Sequence, residues 1–244
     1  MKKVFAHRGV SSLAPENTLA AFRLTKQFGV KWIEADADIL PDGTVIIIHD
    51  STLDRCSDHA GLATNLDKDS IKKVDAGSWF SDEFAGEPIP TLDDLIELVN
   101  QYQLNLNLEL KSCRTKQLND ALIAGVVEGL KKLDSDRELI VSCFNHLVLS
   151  HFKQAMPEVE VACLFEKATL WEDWPAIMEM VGANTIHPEN EGLTQDSVRS
   201  MKEHGYNVHV WTVNDRARIN ELFNWGVDGV FTDLPQLMPA KHRF

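Results

Sequence analysis

Leu104-Asn105-Leu106-Asn107-Leu108-Glu109-Leu110-Lys111 reads as a strand that closes on two ionisable residues. Side chains alternate faces along a strand, so residues two apart share a face. Glu109 and Lys111 therefore leave on the same side. Upstream, Trp32-Ile33-Glu34-Ala35-Asp36 repeats the pattern, with Glu34 and Asp36 at the same spacing. Working outward, further strand-like runs fall at Val4–Ala6, Val45–Ile48, Leu139–Cys143, Val159–Leu164, Thr185–His187, Asn207–Trp211 and Gly229–Thr232. Helix-period segments lie between them at 17–28, 92–102, 116–132, 146–155, 171–181, 195–204 and 215–224, with a short one from 235. Strands alternating with helices predict a parallel α/β sheet with crossover helices. Eight main repeats in 244 residues favour a closed (β/α) barrel over an open doubly wound sheet. No Gly-x-Gly-x-x-Gly follows the first strand, which counts against a dinucleotide fold.

One interval breaks the rhythm. Residues 51–90 hold polar turns and few periodic runs, and a structureless loop of that length is unusual inside a compact barrel. They read as a small insertion over the barrel mouth within a single domain, 1–244. Trp79 and Phe80 either cover the mouth or pack in a mini-core of the insertion. Cap signals support the segmentation: Asn17, Thr91 before Asp93-Asp94, Asn214 before Asp215, and Asp233 before Leu234-Pro235.

Composition excludes several classes. With 24 basic and 37 acidic residues, the net charge of −13 disfavours coating nucleic acid or an anionic membrane. Any phosphate must be held by a local positive cluster or a bound cation. The apolar run Val4-Phe5-Ala6 stops at His7-Arg8, too short for a signal-peptide core, and no stretch reaches the ~18 apolar residues of a membrane span. Four cysteines lack metal or redox spacing, so the expectation is a cytoplasmic protein with reduced thiols.

The chemistry lies where polar residues interrupt the strands. His7-Arg8 ends the first, His49-Asp50 follows Val45–Ile48, and Ser142, Phe144, His187 and Trp211 close later ones. In a barrel these emerge at the carboxyl end, where barrel enzymes build their sites. Glu34, Asp36 and Glu109 would gather three carboxylates that resist joint ionisation unless a hard divalent cation, Mg²⁺ or Ca²⁺, joins them. His7 and His49 suit an acid/base pair, and Arg8 and Lys111 suit phosphoryl oxygens. Phe144 and Trp211 either line a pocket or finish the core. His59, His146, His151, His204 and His242 read as surface or helix positions, and His209 as structural. Taken singly, each site element also has a plain structural reading: a solvated strand end, a surface ion pair, a turn. Their joint placement on separate strand ends favours function.

Together these residues resemble the glycerophosphodiester phosphodiesterase family, in its short cytoplasmic bacterial form. The matching motifs are His7-Arg8-Gly9, Pro15-Glu16-Asn17-Thr18, Glu34-x-Asp36, His49-Asp50 with Thr52-Leu53-Asp54-Arg55, Pro90-Thr91-Leu92 and Glu109-x-Lys111. Ser142-x-Phe144, His187-Pro188, Trp211 to Asn214, and Gly226 to Gly229 leading into Thr232-Asp233-x-Pro235 follow in order. The resemblance implies a TIM (β/α)8 barrel with an insertion after the second strand. It implies that His7 and His49 are the catalytic pair, that Glu34, Asp36 and Glu109 bind Mg²⁺ or Ca²⁺, and that Arg8 and Lys111 hold phosphate, with Glu16 in support. The implied reaction is hydrolysis of a glycerophosphodiester, such as glycerophosphocholine or glycerophosphoethanolamine, to sn-glycerol 3-phosphate and an alcohol. The attacker is water or the neighbouring glycerol hydroxyl. The implied pathway is phospholipid degradation and salvage, by a monomer or homodimer. Rival readings are a lysophospholipase D-like enzyme of the same fold, a metal-dependent barrel lyase or isomerase, and a non-catalytic anion-binding module.

Overall fold

The computed structural model describes residues 2–239. Nine strands and eight helices follow one another as β1 (Lys3–Ala6), α1 (Leu19–Gln27), β2 (Trp32–Ile39), β3 (Val45–Ile47), α2 (Lys68–Ile71), α3 (Leu92–Tyr102), β4 (Asn105–Leu110), α4 (Lys116–Leu130), β5 (Leu139–Cys143), α5 (His146–Ala155), β6 (Glu160–Phe165), α6 (Trp174–Val181), β7 (Thr185–Pro188), α7 (Gln195–Glu203), β8 (Asn207–Val210), α8 (Arg216–Trp225) and β9 (Gly229–Thr232). Eight strands run parallel in the ring order β1-β2-β4-β5-β6-β7-β8-β9, and β9 returns to β1. The fold is the expected (β/α)8 barrel.

Strand β3 stands outside the ring. It pairs antiparallel with the far end of β2, Ala37 to Ile39. That hairpin corrects one expectation. Glu34 and Asp36 do not close their strand; β2 runs on to Ile39 because β3 supplies backbone partners beyond the ring.

Apolar residues on the outer strand faces and inner helix faces form the main core, including Phe22, Ile33, Leu106, Leu108, Val141, Phe152 and Val230. A second layer fills the barrel interior: Phe5, Trp32, Ile140, Ala162 and Phe231. Phe5 stacks on Phe231 at 4.4 Å and meets Trp32 edge-on at 5.0 Å. These rings close the barrel below the site, so it is a packed core rather than a pore. Residues 40–89 carry a separate cluster built on Leu40, Ile46, Leu53, Ile71, Val74 and Ile89. Phe80 meets Trp79 and Phe84 edge-on, with Trp79 half-exposed.

The caps are partly as expected. Thr91 caps α3 in a reciprocal box with Asp94. Thr18, not Asn17, caps α1, because Asn17 sits at φ 57° with its side chain turned inward to Asp36. Asp215, not Asn214, caps α8, and Asp233 caps nothing. Asn214 and Asp233 are instead bound to each other at 2.7 Å. The chain from 235 makes only a short 3₁₀ turn, Pro235–Leu237. The four cysteines are unpaired, and no helix among the described residues is long and apolar enough to cross a membrane.

Candidate active site

The carboxyl ends of the strands open into a cavity of about 330 Å³. Eight of the nine candidate residues line it: His7, Arg8, Glu34, His49, Glu109, Lys111, Phe144 and Trp211. Asp36, 1% exposed, lies behind them, yet its carboxylate oxygen joins those of Glu34 and Glu109 within 4.8 Å. Strand register does this. Asp36 stands beside Glu109, and Glu109 beside Ser142, in neighbouring parallel strands.

Backbone strain helps place the first strand's cargo. Arg8 adopts φ 57°, a costly conformation for a residue with a Cβ. Its N–H donates to Glu34 Oε2 at 2.8 Å, which fixes the turn. At Gly9, φ 85°, a Cβ would lie 2.7 Å from that of Ala21, so only glycine lets the turn pack on α1.

The carboxylates are unequal. Burial first, then the charges of Asp36 and Glu109, pushes Glu34 well above the usual carboxylate range. Burial and Asp36 raise Glu109 too. Burial works the same way on Asp36, but Lys111 and Arg8 override it and hold the group at about 2. Lys111 Nζ donates to Glu109 Oε1 at 2.6 Å and lies 3.5 Å from Asp36; Arg8 Nε lies 3.3 Å from Asp36. Asn17 donates to Asp36 Oδ2 at 2.8 Å and accepts from its backbone N–H at 3.2 Å. Three carboxyl groups crowd two fixed cations and offer hard oxygen donors whose joint ionisation a further positive charge would favour. That donor set suits a divalent cation. The site of the cation would be Glu34, Asp36 and Glu109.

Each histidine has its own carboxylate. His7 Nδ1 lies 2.7 Å from Asp233 Oδ1, and His49 Nδ1 lies 2.6 Å from Asp50 Oδ1. An ionised carboxylate only accepts, so Nδ1 of each ring carries a proton and Nε2 is the nitrogen left for proton exchange. Burial raises Asp233, but the His7 contact, with Asn214 and Ser11, outweighs it and holds the carboxyl at about 2. Asp50 is held low by Arg55, against its burial. Burial lowers His49, against the opposing pull of Asp36 and Asp50.

The opposite wall carries the aromatic residues. Phe144 meets Trp211 edge-on at 5.4 Å, and Trp211 Nε1 is anchored to the His187 carbonyl at 2.9 Å. His187 also lines the cavity, but it is fully buried and hydrogen-bonded to buried His209 at 3.2 Å. Burial drives both imidazoles down, His209 to about 3, so both are neutral. Of the remaining histidines, His59 pairs with Asp58 on the surface, His151 and His204 are exposed, and His242 lies outside the described residues. His146 is the first residue of α5, half-buried against Phe165, its Nε2 3.0 Å from the Leu164 carbonyl.

Several residues of the site escaped local reading. Asp233 read as a helix cap and turned out to be the partner of His7. Asn107 and Glu166 also line the cavity, beside Ser142, which its strand-end position had pointed to. Asn107 had a legible signal, since it stands two residues before Glu109 on the same strand face. Its amide donates to Ser142 at 2.9 Å.

The chain is similar to known proteins over nearly its whole length. The model of the glycerophosphoryl diester phosphodiesterase family matches residues 7–237. A glycerophosphodiester phosphodiesterase of Caldanaerobacter subterraneus is 33% identical over 235 residues, covering 96% of this chain and 95% of that protein. The Bacillus subtilis enzyme of the same name is 30% identical, covering 95% and 83%. An Oleispira antarctica phosphodiesterase, solved in complex with its product sn-glycerol-3-phosphate, superposes with a TM-score of 0.92 at 38% identity, over 97% of this chain and 94% of that one. A family match over nearly the whole barrel, joined to this carboxyl-end site, identifies the chain as an enzyme of the glycerophosphoryl diester phosphodiesterase family.

Proposed function

We propose that the chain hydrolyses glycerophosphodiesters, glycerophosphocholine and glycerophosphoethanolamine among them, to sn-glycerol 3-phosphate and an alcohol, with a divalent cation and two histidines. The observation that carries this reading is the meeting of His7 and His49, each on its own carboxylate, with Arg8, Lys111 and the acidic cluster around one cavity. The product bound to the Oleispira antarctica relative supports the substrate class.

Glu34, Asp36 and Glu109 would hold the cation, Mg²⁺ or Ca²⁺. When bound, it supplies Lewis-acid polarisation of a phosphoryl oxygen. Arg8 and Lys111 bind the remaining phosphoryl oxygens and offset charge that builds during displacement. One imidazole takes the proton of the attacking oxygen at Nε2, and the other, entering the step protonated at Nε2, gives that proton to the departing alkoxide. Asp233 and Asp50 stabilise each imidazolium as it forms and keep each ring turned to the cavity. Phe144 and Trp211 exclude water from one side and bear on the organic part of the ester.

The test is release of glycerol 3-phosphate from diesters with choline, ethanolamine and glycerol head groups, with and without a chelator. Release is expected, abolished by chelation and restored by Mg²⁺ or Ca²⁺. Full activity in excess chelator would remove the cation from the reading. No release from any diester would remove the substrate class.

A further inference from the structure

We propose that Arg55, outside the barrel ring, is a positioning residue that holds His49 and Arg8 in fixed relation to each other, through Asp50 on one side and Glu16 on the other. The inference rests on the functional reading of His49 and Arg8 above.

Arg55 lies between β3 and α2, and Glu16 in the turn before α1. Every nitrogen of the guanidinium is used. Nε donates to Asp50 Oδ2 at 2.7 Å, and Nη2 reaches Asp50 Oδ1 at 3.1 Å. Nη1 donates to Glu16 Oε2 at 2.7 Å, and Nη2 to Glu16 Oε1 at 2.8 Å. Both carboxylates are thus gripped by two bonds each, a geometry that fixes their planes and that a lysine does not reproduce. Beyond them, Asp50 Oδ1 accepts from His49 Nδ1 and Glu16 Oε1 accepts from Arg8 Nη1, at 2.6 and 2.7 Å. The chain His49–Asp50–Arg55–Glu16–Arg8 is unbroken.

Its exposure argues for orientation over stability. The Arg55 side chain is 46% exposed, where ion pairs contribute little to folding. The groups at the two ends of the chain line the cavity. Without Arg55, Asp50 loses its clamp and turns away from His49 Nδ1. The ring then samples the tautomer with its proton on Nε2, which cannot accept one from an attacking oxygen. Glu16, released on the same side, no longer fixes the plane of Arg8.

The experiment combines ring-nitrogen NMR of ¹⁵N-histidine-labelled full-length protein in Mg²⁺ with kcat and KM on glycerophosphocholine, for the wild type, Arg55→Ala and Arg55→Lys. Wild-type His49 is expected as the Nδ1–H tautomer. Arg55→Ala is expected to give mixed tautomers and a kcat lower by about 10- to 100-fold, the usual range for a group that orients a ligand or catalytic residue, with an unchanged circular-dichroism spectrum. Arg55→Lys should fall between, because it restores charge without the fork. An unmoved His49 tautomer in Arg55→Ala, or wild-type values in Arg55→Lys, would overturn the proposal. If Arg55→Ala fails to fold, the lysine variant still decides. A wild type that releases no glycerol 3-phosphate sinks the functional reading alone, since the tautomer measurement stands without turnover.

Discussion

The two arcs of the barrel mouth are built from different materials. The arc from β1 through β4 carries His7, Arg8, Glu34, Asp36, Glu109 and Lys111, with His49 beside it after β3. The arc from β5 through β9 offers Ser142, Phe144, Leu164, His187, Trp211 and Phe231 to the same cavity, with Glu166 as its charged member. Placing ionised groups against a low-dielectric wall strengthens every charge interaction across the gap. It also divides labour. The charged arc should govern the chemical step, and the aromatic arc should govern fit.

The histidines give the sharpest way to break that division. His7→Ala and His49→Ala should each lower kcat by about 100- to 10,000-fold, the ordinary contribution of a positioned acid or base. Steady-state kinetics with unfolding controls checks this, and near-normal kcat in either variant would reassign the acid or base. Glu34→Gln comes next, with an expected loss of about 100-fold in kcat/KM. Its second signature is the opposite sign in stability. Burial and neighbouring carboxylates raise Glu34, so in chelated protein its ionisation opposes folding as pH rises above the ordinary carboxylate range. The glutamine variant should therefore unfold at a higher temperature, by about 2–4 °C for each ~1 kcal/mol relieved. A lower midpoint in calorimetry would mean that Glu34 stabilises the metal-free fold.

Asp233→Asn should cost about tenfold in kcat, since it leaves His7 in place but removes its anionic partner. It carries a pH test as well. Asp233 is held at about 2, below the ordinary 3.8. Its stabilising contribution is therefore full above pH ~4 and disappears as pH falls through about 2. Denaturant melts of Asp233→Asn should show a flatter loss of stability across that window than the wild type. The smallest effect belongs to the aromatic arc. Phe144→Ala and Trp211→Ala should raise KM about tenfold, equivalent to roughly 1.4 kcal/mol, with kcat within about threefold. A collapse of kcat with unchanged KM would erase the contrast between the arcs.

Much of the charged arc was legible because its signals are local. Glu34 and Asp36, or Glu109 and Lys111, are two apart, and the pleat of a strand alone puts such pairs on one face. The His7 partner was not legible. Asp233 stands 226 positions away, and only the return of β9 to β1 brings it near. Asn17 misled for a related reason: an asparagine before a helix reads as a cap, whereas a buried Asp36 outbids the helix end for its amide. The hairpin of β3 was hidden because an apolar triplet looks the same in a parallel ring and in an antiparallel flap.

Periodicity and strand-end chemistry, both written along the chain, determined the barrel and the residue types that meet at its mouth. Tertiary structure alone decided that Asp233 serves His7, and that Asp36 is held low while Glu34 and Glu109 are raised. Those outcomes depend on distances and burial across strands far apart in sequence, and electrostatic energy follows separation in space, not along the chain.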